Sequence, residues 1–125
     1  MSALDYPPLA EAVPGARAHA RLVLAEWGFA GIAGDAETAL SELLTNAIRE
    51  SAAMSARPSV TVTLLADPGQ LVIQVLDRAP GTPLLREPNW DEPGGRGLFT
   101  VAALAHRWDW TRYEDHKIVW CDFWV

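Results

Sequence analysis

The chain has 125 residues, half of them hydrophobic and 21% charged, which is the composition of one globular domain and not of a disordered segment. Ten basic residues against sixteen acidic ones leave a net charge of −6, so the basic footprint of a nucleic-acid binder is missing, and no partner of that kind is expected. Cys121 is the single cysteine, which rules out an internal disulfide and a zinc site built on several thiolates, and no apolar run approaches the ~20 residues of a membrane span. Acids and prolines between Met1 and Pro14 do not make a secretory leader, so the expected location is cytoplasmic, away from the membrane.

Tyr6-Pro7-Pro8-Leu9 suits an edge strand or an extended arm. From Val13 the pattern becomes helical: Val13, Ala16, Ala20, Val23, Leu24 and Trp27 recur at three- and four-residue spacing, and Gly28 closes the segment. Asp35 is the expected N-cap of a long second helix reaching about Met54. Its apolar stripe is Ala36, Leu40, Leu43, Leu44, Ala47 and Ile48, with Glu42, Asn46 and Arg49 in a narrow sector on the other side. Residues 60–66 and 71–77 read as strands of an antiparallel hairpin about the turn Asp67-Pro68-Gly69-Gln70. Residues 78–97 carry four prolines and four glycines and form a long loop of the kind that usually serves function. A short helix over 98–105 and two strands, 107–113 and 117–125, complete the chain.

Strand, strand, helix, strand, strand is not the order of a parallel doubly wound fold. The expected architecture is α+β: a two-layer sandwich with a mostly antiparallel mixed sheet of four to five strands and about three helices on one face. Six tryptophans suit core packing, with Trp90 set apart in the long loop. Trp108 with Trp110, and Trp120 with Trp124, are each spaced for one strand face, and part of that surface is expected to be left for association.

Three short segments carry candidate chemistry. Glu42 and Asn46 stand one helical turn apart, a carboxylate able to take a proton beside an amide oxygen able to ligate a hard cation. Asp77 ends a strand and is followed by Pro80 and Gly81, where its carboxylate can accept a hydrogen bond from an exocyclic amine. Gly94-Gly95-Arg96-Gly97-Leu98 opens a helix whose free N–H groups suit an anion. Each is also compatible with an ordinary helix face, turn or loop end. No GxxxxGK[ST] phosphate loop is present.

In this order and at these spacings, the three segments resemble the ATP-binding domain shared by histidine kinases, type II topoisomerases, a heat-shock chaperone and DNA mismatch-repair proteins. More closely, the chain resembles the stand-alone bacterial anti-sigma-factor serine/threonine kinases related to RsbW and SpoIIAB. Residues 42–47 match that family's asparagine box, 77–83 its first glycine box, 94–98 its second, and 117–120 its closing strand. The resemblance implies one ATP-binding domain over 1–125 with a lid at about 82–96. It implies that Asn46 holds Mg²⁺ on the triphosphate, that Asp77 reads the adenine amine, and that Gly81 lets the backbone approach the base. Gly95, Arg96, Gly97 and Leu98 would lie at the phosphates, Arg49 and Lys117 would complete the ATP site, and Glu42 would be the base that deprotonates an attacking serine. The implied partners are a sigma factor and a STAS-type anti-sigma-factor antagonist, and the resemblance favours a homodimer. The alternative is a nucleotide-binding or partner-binding regulatory module of the same fold with little or no kinase activity. The chain departs from the family pattern at Ala79, at Glu50 after Arg49, and at His116 and Ile118, where the family commonly has Gly before and Thr after the lysine.

Overall fold

A computed structural model describes residues 1–83 and 97–125. The elements follow as β1 (Ser2–Tyr6), α1 (Ala12–Glu26), a 3₁₀ turn (Ala30–Ile32), α2 (Ala33–Ala52), β2 (Val60–Asp67), β3 (Gln70–Asp77), α3 (Gly97–Leu104), β4 (Arg107–Arg112) and β5 (Lys117–Trp124). The strands form one sheet in the order β1-β2-β3-β5-β4. Every pairing in it is antiparallel. The expected arm is therefore an edge strand, with Tyr6 opposite Val60, and it stops where Pro7 and Pro8 can no longer donate to the ladder.

Alternation within each strand sets the two faces of the sheet. Val60, Val62 and Leu64 of β2, Leu71, Ile73 and Val75 of β3, and Val119, Cys121 and Phe123 of β5 are all buried. Helix α2 lies across β2, β3 and β5, and α1 and α3 pack against α2. The buried stripe of α2 contains the six apolar residues expected from the spacing, joined by Ala39, Glu37 and Ser51. Asp35 is not its N-cap. The 3₁₀ turn runs straight into the helix, so Ile32 takes the cap position and Asp35 falls in the first turn, where a carboxylate still favours the helix dipole. At the end of α1, Gly28 adopts φ +84°. Its N–H reaches the Ala25 carbonyl, and that of Phe29 reaches Leu24. A residue with a Cβ is strained in that closure.

The tryptophan pairs separate. Trp108 and Trp110 are half-buried against the core under the helices, whereas Trp120 and Trp124 stand on the other side of the sheet. That outer face is not bare. Between the two indoles lies Asp122, fully buried, whose Oδ2 accepts from Arg107 Nε (2.9 Å) and Nη2 (2.6 Å), Gln70 Nε2 (3.1 Å) and Trp124 Nε1 (3.3 Å). The Arg107 guanidinium sits 5.6 Å from each indole centroid. Burial alone pushes the Asp122 carboxyl up, but the bonds from Arg107, Trp124 and Gln70 outweigh it and hold the group below the usual carboxylate range. On the helix side the Cys121 thiol is pushed up to about 12 by burial and by the neighbouring Asp122 charge, and is inert as a nucleophile.

Because the folded-state value of Asp122 is depressed, its contribution to stability is present above the unfolded value near 3.8 and is lost as the pH falls through the lower folded value. Denaturant titrations across this acid range should show a steeper loss of stability in the parent than in Asp122→Asn. At neutral pH, Asp122→Asn should destabilise the fold more than Asp109→Asn on exposed β4; equal effects of the two substitutions would contradict this account.

Candidate functional site

The polar side of α2 carries Glu42, Asn46 and Glu50 at successive turns, about 6 Å of rise apart. Leu43, Leu44, Ala47 and Ile48 anchor the opposite side in the core and so fix where the polar stripe points. Glu42 and Asn46 are half-buried, whereas Arg49 is exposed.

Asn46 faces the start of α3. A Cβ built on Gly97 would lie 2.9 Å from Asn46 Nδ2 and 3.3 Å from Oδ1. Glycine lets the backbone of α3 pass against the amide, and a Cβ there would force the amide to turn. The structure thus joins two of the three candidate segments, which are about fifty residues apart in the chain. Leu98, the next residue, points into the hydrophobic core, and only its backbone is available to a ligand. Gly95, Arg96 and Trp90 lie outside the described residues.

Asp77 closes β3 and is 1% exposed. Its Oδ1 accepts from the backbone N–H of Ala79 at 3.0 Å and from Lys117 Nζ at 2.6 Å. Lys117 is the residue opposite Asp77 in the β3–β5 ladder and is itself 1% exposed. The same ammonium reaches Glu50 Oε2 at 2.9 Å and the Ala79 carbonyl at 3.3 Å. Its three hydrogens therefore have three acceptors. An ammonium buried without such partners would cost several kcal/mol.

Two further contacts shape the turn after Asp77. Arg112, the last residue of β4, donates through Nη2 to the Ala79 carbonyl at 3.2 Å and to the Gly81 carbonyl. Gly81 has φ +97°, so its place in the turn rests on backbone conformation.

Ile118 does not stand beside Asp77. Its Cα partner is Leu76, and strand alternation turns its side chain to the outer face. Lys117 occupies the facing position instead. Glu50 and Arg112 also belong to this site, and neither is apparent from the three segments. The signal for Glu50 was its spacing of four from Asn46. Arg112 is placed by the β4–β5 register, opposite Lys117, which only the folded sheet supplies.

The site therefore has two ends. One is the Asn46 amide against the glycine backbone of α3, with Glu42 a turn away. The other is the Asp77–Lys117–Glu50 cluster at the ends of β3 and β5. No group of three or more His, Cys, Asp or Glu suited to a metal occurs among the described residues. The single amide oxygen of Asn46 nevertheless suits a hexacoordinate cation such as Mg²⁺, which takes few protein ligands and otherwise keeps water and phosphate oxygens.

Residues 6–122 match a family model described as the histidine kinase-like ATPase domain. Among solved structures, the RsbU and RsbW domains of Rv1364c from Mycobacterium tuberculosis superpose with a TM-score of 0.67 at 22% identity, over 98% of this chain and 32% of that one. The chain thus spans about a third of that protein's solved length. The histidine kinase domain of the blue-light activated histidine kinase from Erythrobacter litoralis EL346 is 31% identical over 74% of this chain and 44% of that one, with a TM-score of 0.49. No curated protein matches the sequence.

Gly97→Ala tests the close approach. The atom it meets is the end of a flexible side chain, so the Asn46 amide should turn away while the backbone stays. The melting temperature should change by less than about 4 °C, the equivalent of roughly 1 kcal/mol. The Asn46 side-chain amide resonances should shift clearly. A large loss of stability with unmoved amide signals would contradict the contact.

Proposed function

The chain belongs to the histidine kinase-like ATPase domain family, and on that premise we propose that it is an ATP-dependent serine/threonine kinase of the anti-sigma-factor type. In this reading it transfers the ATP γ-phosphate to a serine of a STAS-type antagonist and sequesters a sigma factor, and its outer sheet face, carrying Trp120 and Trp124, supports a homodimer. The observation that carries the reading is the meeting of Asn46 with the Gly97 backbone at the start of α3. It brings a hard oxygen ligand beside N–H groups that suit an anion, which is what a metal-bound triphosphate requires.

Mg²⁺, when bound, would neutralise charge on the phosphates. Asn46 would hold the metal through its side-chain oxygen, and the backbone at Gly97 and Leu98 would receive phosphate oxygens. Glu42, one turn away, would accept the proton of the attacking serine. The serine oxygen–phosphorus bond forms as the bond from the γ-phosphorus to the bridging oxygen breaks, ADP leaves, and the proton resides on Glu42. Phosphoryl transfer asks chiefly for such positioning and charge neutralisation. Arg49, Arg96 and Gly95 complete the phosphate end in this proposal, and Asp77, Gly81 and Lys117 form the base end.

A second reading, a nucleotide-binding regulator without kinase chemistry, is favoured by the ion pair that already engages Asp77. Two substitutions separate the readings. Asn46→Ala should weaken Mg·ATP binding roughly ten- to hundredfold, the equivalent of a lost hydrogen bond to a charged group. Glu42→Ala should leave that affinity nearly intact and slow phosphoserine formation on the cognate antagonist by about 10²–10⁴-fold. Calorimetry and a phosphorylation assay measure the two. Antagonist phosphorylation that is undetectable in the parent while Mg·ATP binds would select the regulator.

A further inference from the structure

The turn that leaves β3 is held by an arginine two strands away. Asp77, Lys117 and Arg112 are Cα partners in a single row across β3, β5 and β4, so their side chains leave the same face of the sheet. Two cations opposite each other on neighbouring strands repel. What this pair shares is an acceptor: the Ala79 carbonyl receives Lys117 Nζ at 3.3 Å and Arg112 Nη2 at 3.2 Å. The same Nη2 also donates to the Gly81 carbonyl, which has no other hydrogen bond among the described residues. Gly81 adopts φ +97°, yet a Cβ built on it meets no described atom within 4 Å. Glycine is there for its backbone conformation and not for space. A glycine visits negative φ about as readily, so this conformation does not hold itself. The bonds from Arg112 select it.

We propose that Arg112 is a positioning residue for the nucleoside: it holds the Ala79 and Gly81 carbonyls toward β4 and so keeps the turn in the conformation against which a base packs. The proposal rests on the reading of this site as a nucleotide site, with Asp77, Gly81 and Lys117 at the base end and Asn46 with Gly97 at the phosphate end. Arg112 acts through the turn and not by touching the ligand. Removing its donors frees the turn, and ordering it again on binding subtracts from the affinity that the base contributes. The phosphate end is built where α2 meets α3, so its affinity does not pass through this turn. Both bonds leave from one nitrogen, which a lysine ammonium with its three donors can imitate. Loss of positive charge alone would act differently, weakening every ligand that carries the triphosphate charge.

The test is calorimetric titration of the parent, Arg112→Met and Arg112→Lys with Mg·ATP and Mg·tripolyphosphate, with circular dichroism to confirm folding. Arg112→Met should bind Mg·ATP about tenfold more weakly than the parent and Mg·tripolyphosphate within about twofold of it, and Arg112→Lys should keep the Mg·ATP affinity within about threefold. A folded Arg112→Met that binds Mg·ATP like the parent overturns the proposal and leaves the nucleotide site standing. So does an equal loss of both ligands, or an Arg112→Lys as weak as Arg112→Met. If Arg112→Met does not fold, hydrogen exchange in the parent decides. A turn that favours the base is tightened by it in return, so the Arg112 Nη hydrogens should exchange more slowly with Mg·ATP bound and unchanged with Mg·tripolyphosphate. The same slowing with both ligands, or none with either, overturns the proposal. A parent that binds Mg·ATP but not Mg·tripolyphosphate has no separate phosphate end, which overturns it too. Failure of the parent to bind either ligand overturns the nucleotide reading, and the proposal with it.

Discussion

One buried ammonium ties together the parts from which the site is made. Lys117 Nζ bonds to Asp77 at the end of β3, to Glu50 near the end of α2, and to the Ala79 carbonyl in the turn that leaves the sheet. A charge taken out of water is tolerated only when its hydrogens are all received. That requirement fixes the helix, the two central strands and the turn relative to one another. Glu50 is 41% exposed, so water shares the cost of the second carboxylate, whereas Asp77 has no such relief and depends on Lys117 and the Ala79 N–H. Arg112 braces the same turn from β4 through the carbonyls of Ala79 and Gly81. The position of Asn46 follows from the position of α2, since it lies one turn before Glu50 on the same stripe.

The outer face solves the same physical problem with different groups. Asp122 lies four residues beyond Ile118 along β5, on the side away from the helices, and is fully buried with Arg107 and Trp124 bonded to it. Among the described residues its Oδ2 collects four hydrogen bonds, while Oδ1 has none. Strand β5 thus carries a buried cation on one face and a buried anion on the other, with four residues between them. The first belongs to the site between sheet and helices. The second gives the outer sheet face a fixed, aromatic surface without involving the site.

Much of this was legible in the sequence because it follows from periodicity. The three- and four-residue spacing of Leu40, Leu43, Leu44, Ala47 and Ile48 locates α2 and leaves Glu42 and Asn46 on its other side, where they are found. The alternating β-branched runs around Asp67-Pro68-Gly69-Gln70 locate the β2–β3 hairpin. What could not be read is whatever depends on register between distant strands. Which β5 residue stands opposite Asp77 depends on that register: the ladder places Lys117 there, and a slip of one residue would bring Ile118, whose side chain lies on the opposite face. Glu50 and Arg112 were missed for a related reason: each acts through a contact 67 or more than 30 residues away in the chain. The start of α2 was misplaced by three residues because a 3₁₀ turn supplied the entry that an Asp35 cap would have supplied.

Under the proposed function, ligand binds where α2, α3 and the ends of β3 and β5 converge. The fold offers a competing location, an open groove of about 600 Å³ lined by Trp27, Phe29, Pro68, Gly69 and Val125 at the opposite end of β3. The two ends of that strand are roughly 23 Å apart at 3.3 Å per residue. Backbone and side-chain amide chemical shifts recorded during titration with Mg·ATP distinguish them directly. Shifts should concentrate at Asn46, Glu50, Ala79, Gly81, Gly97 and Leu98, with Trp27, Phe29 and Gly69 unmoved. Shifts confined to the groove around Gly69, or none at Asn46 and Gly97 under saturating ligand, would contradict it.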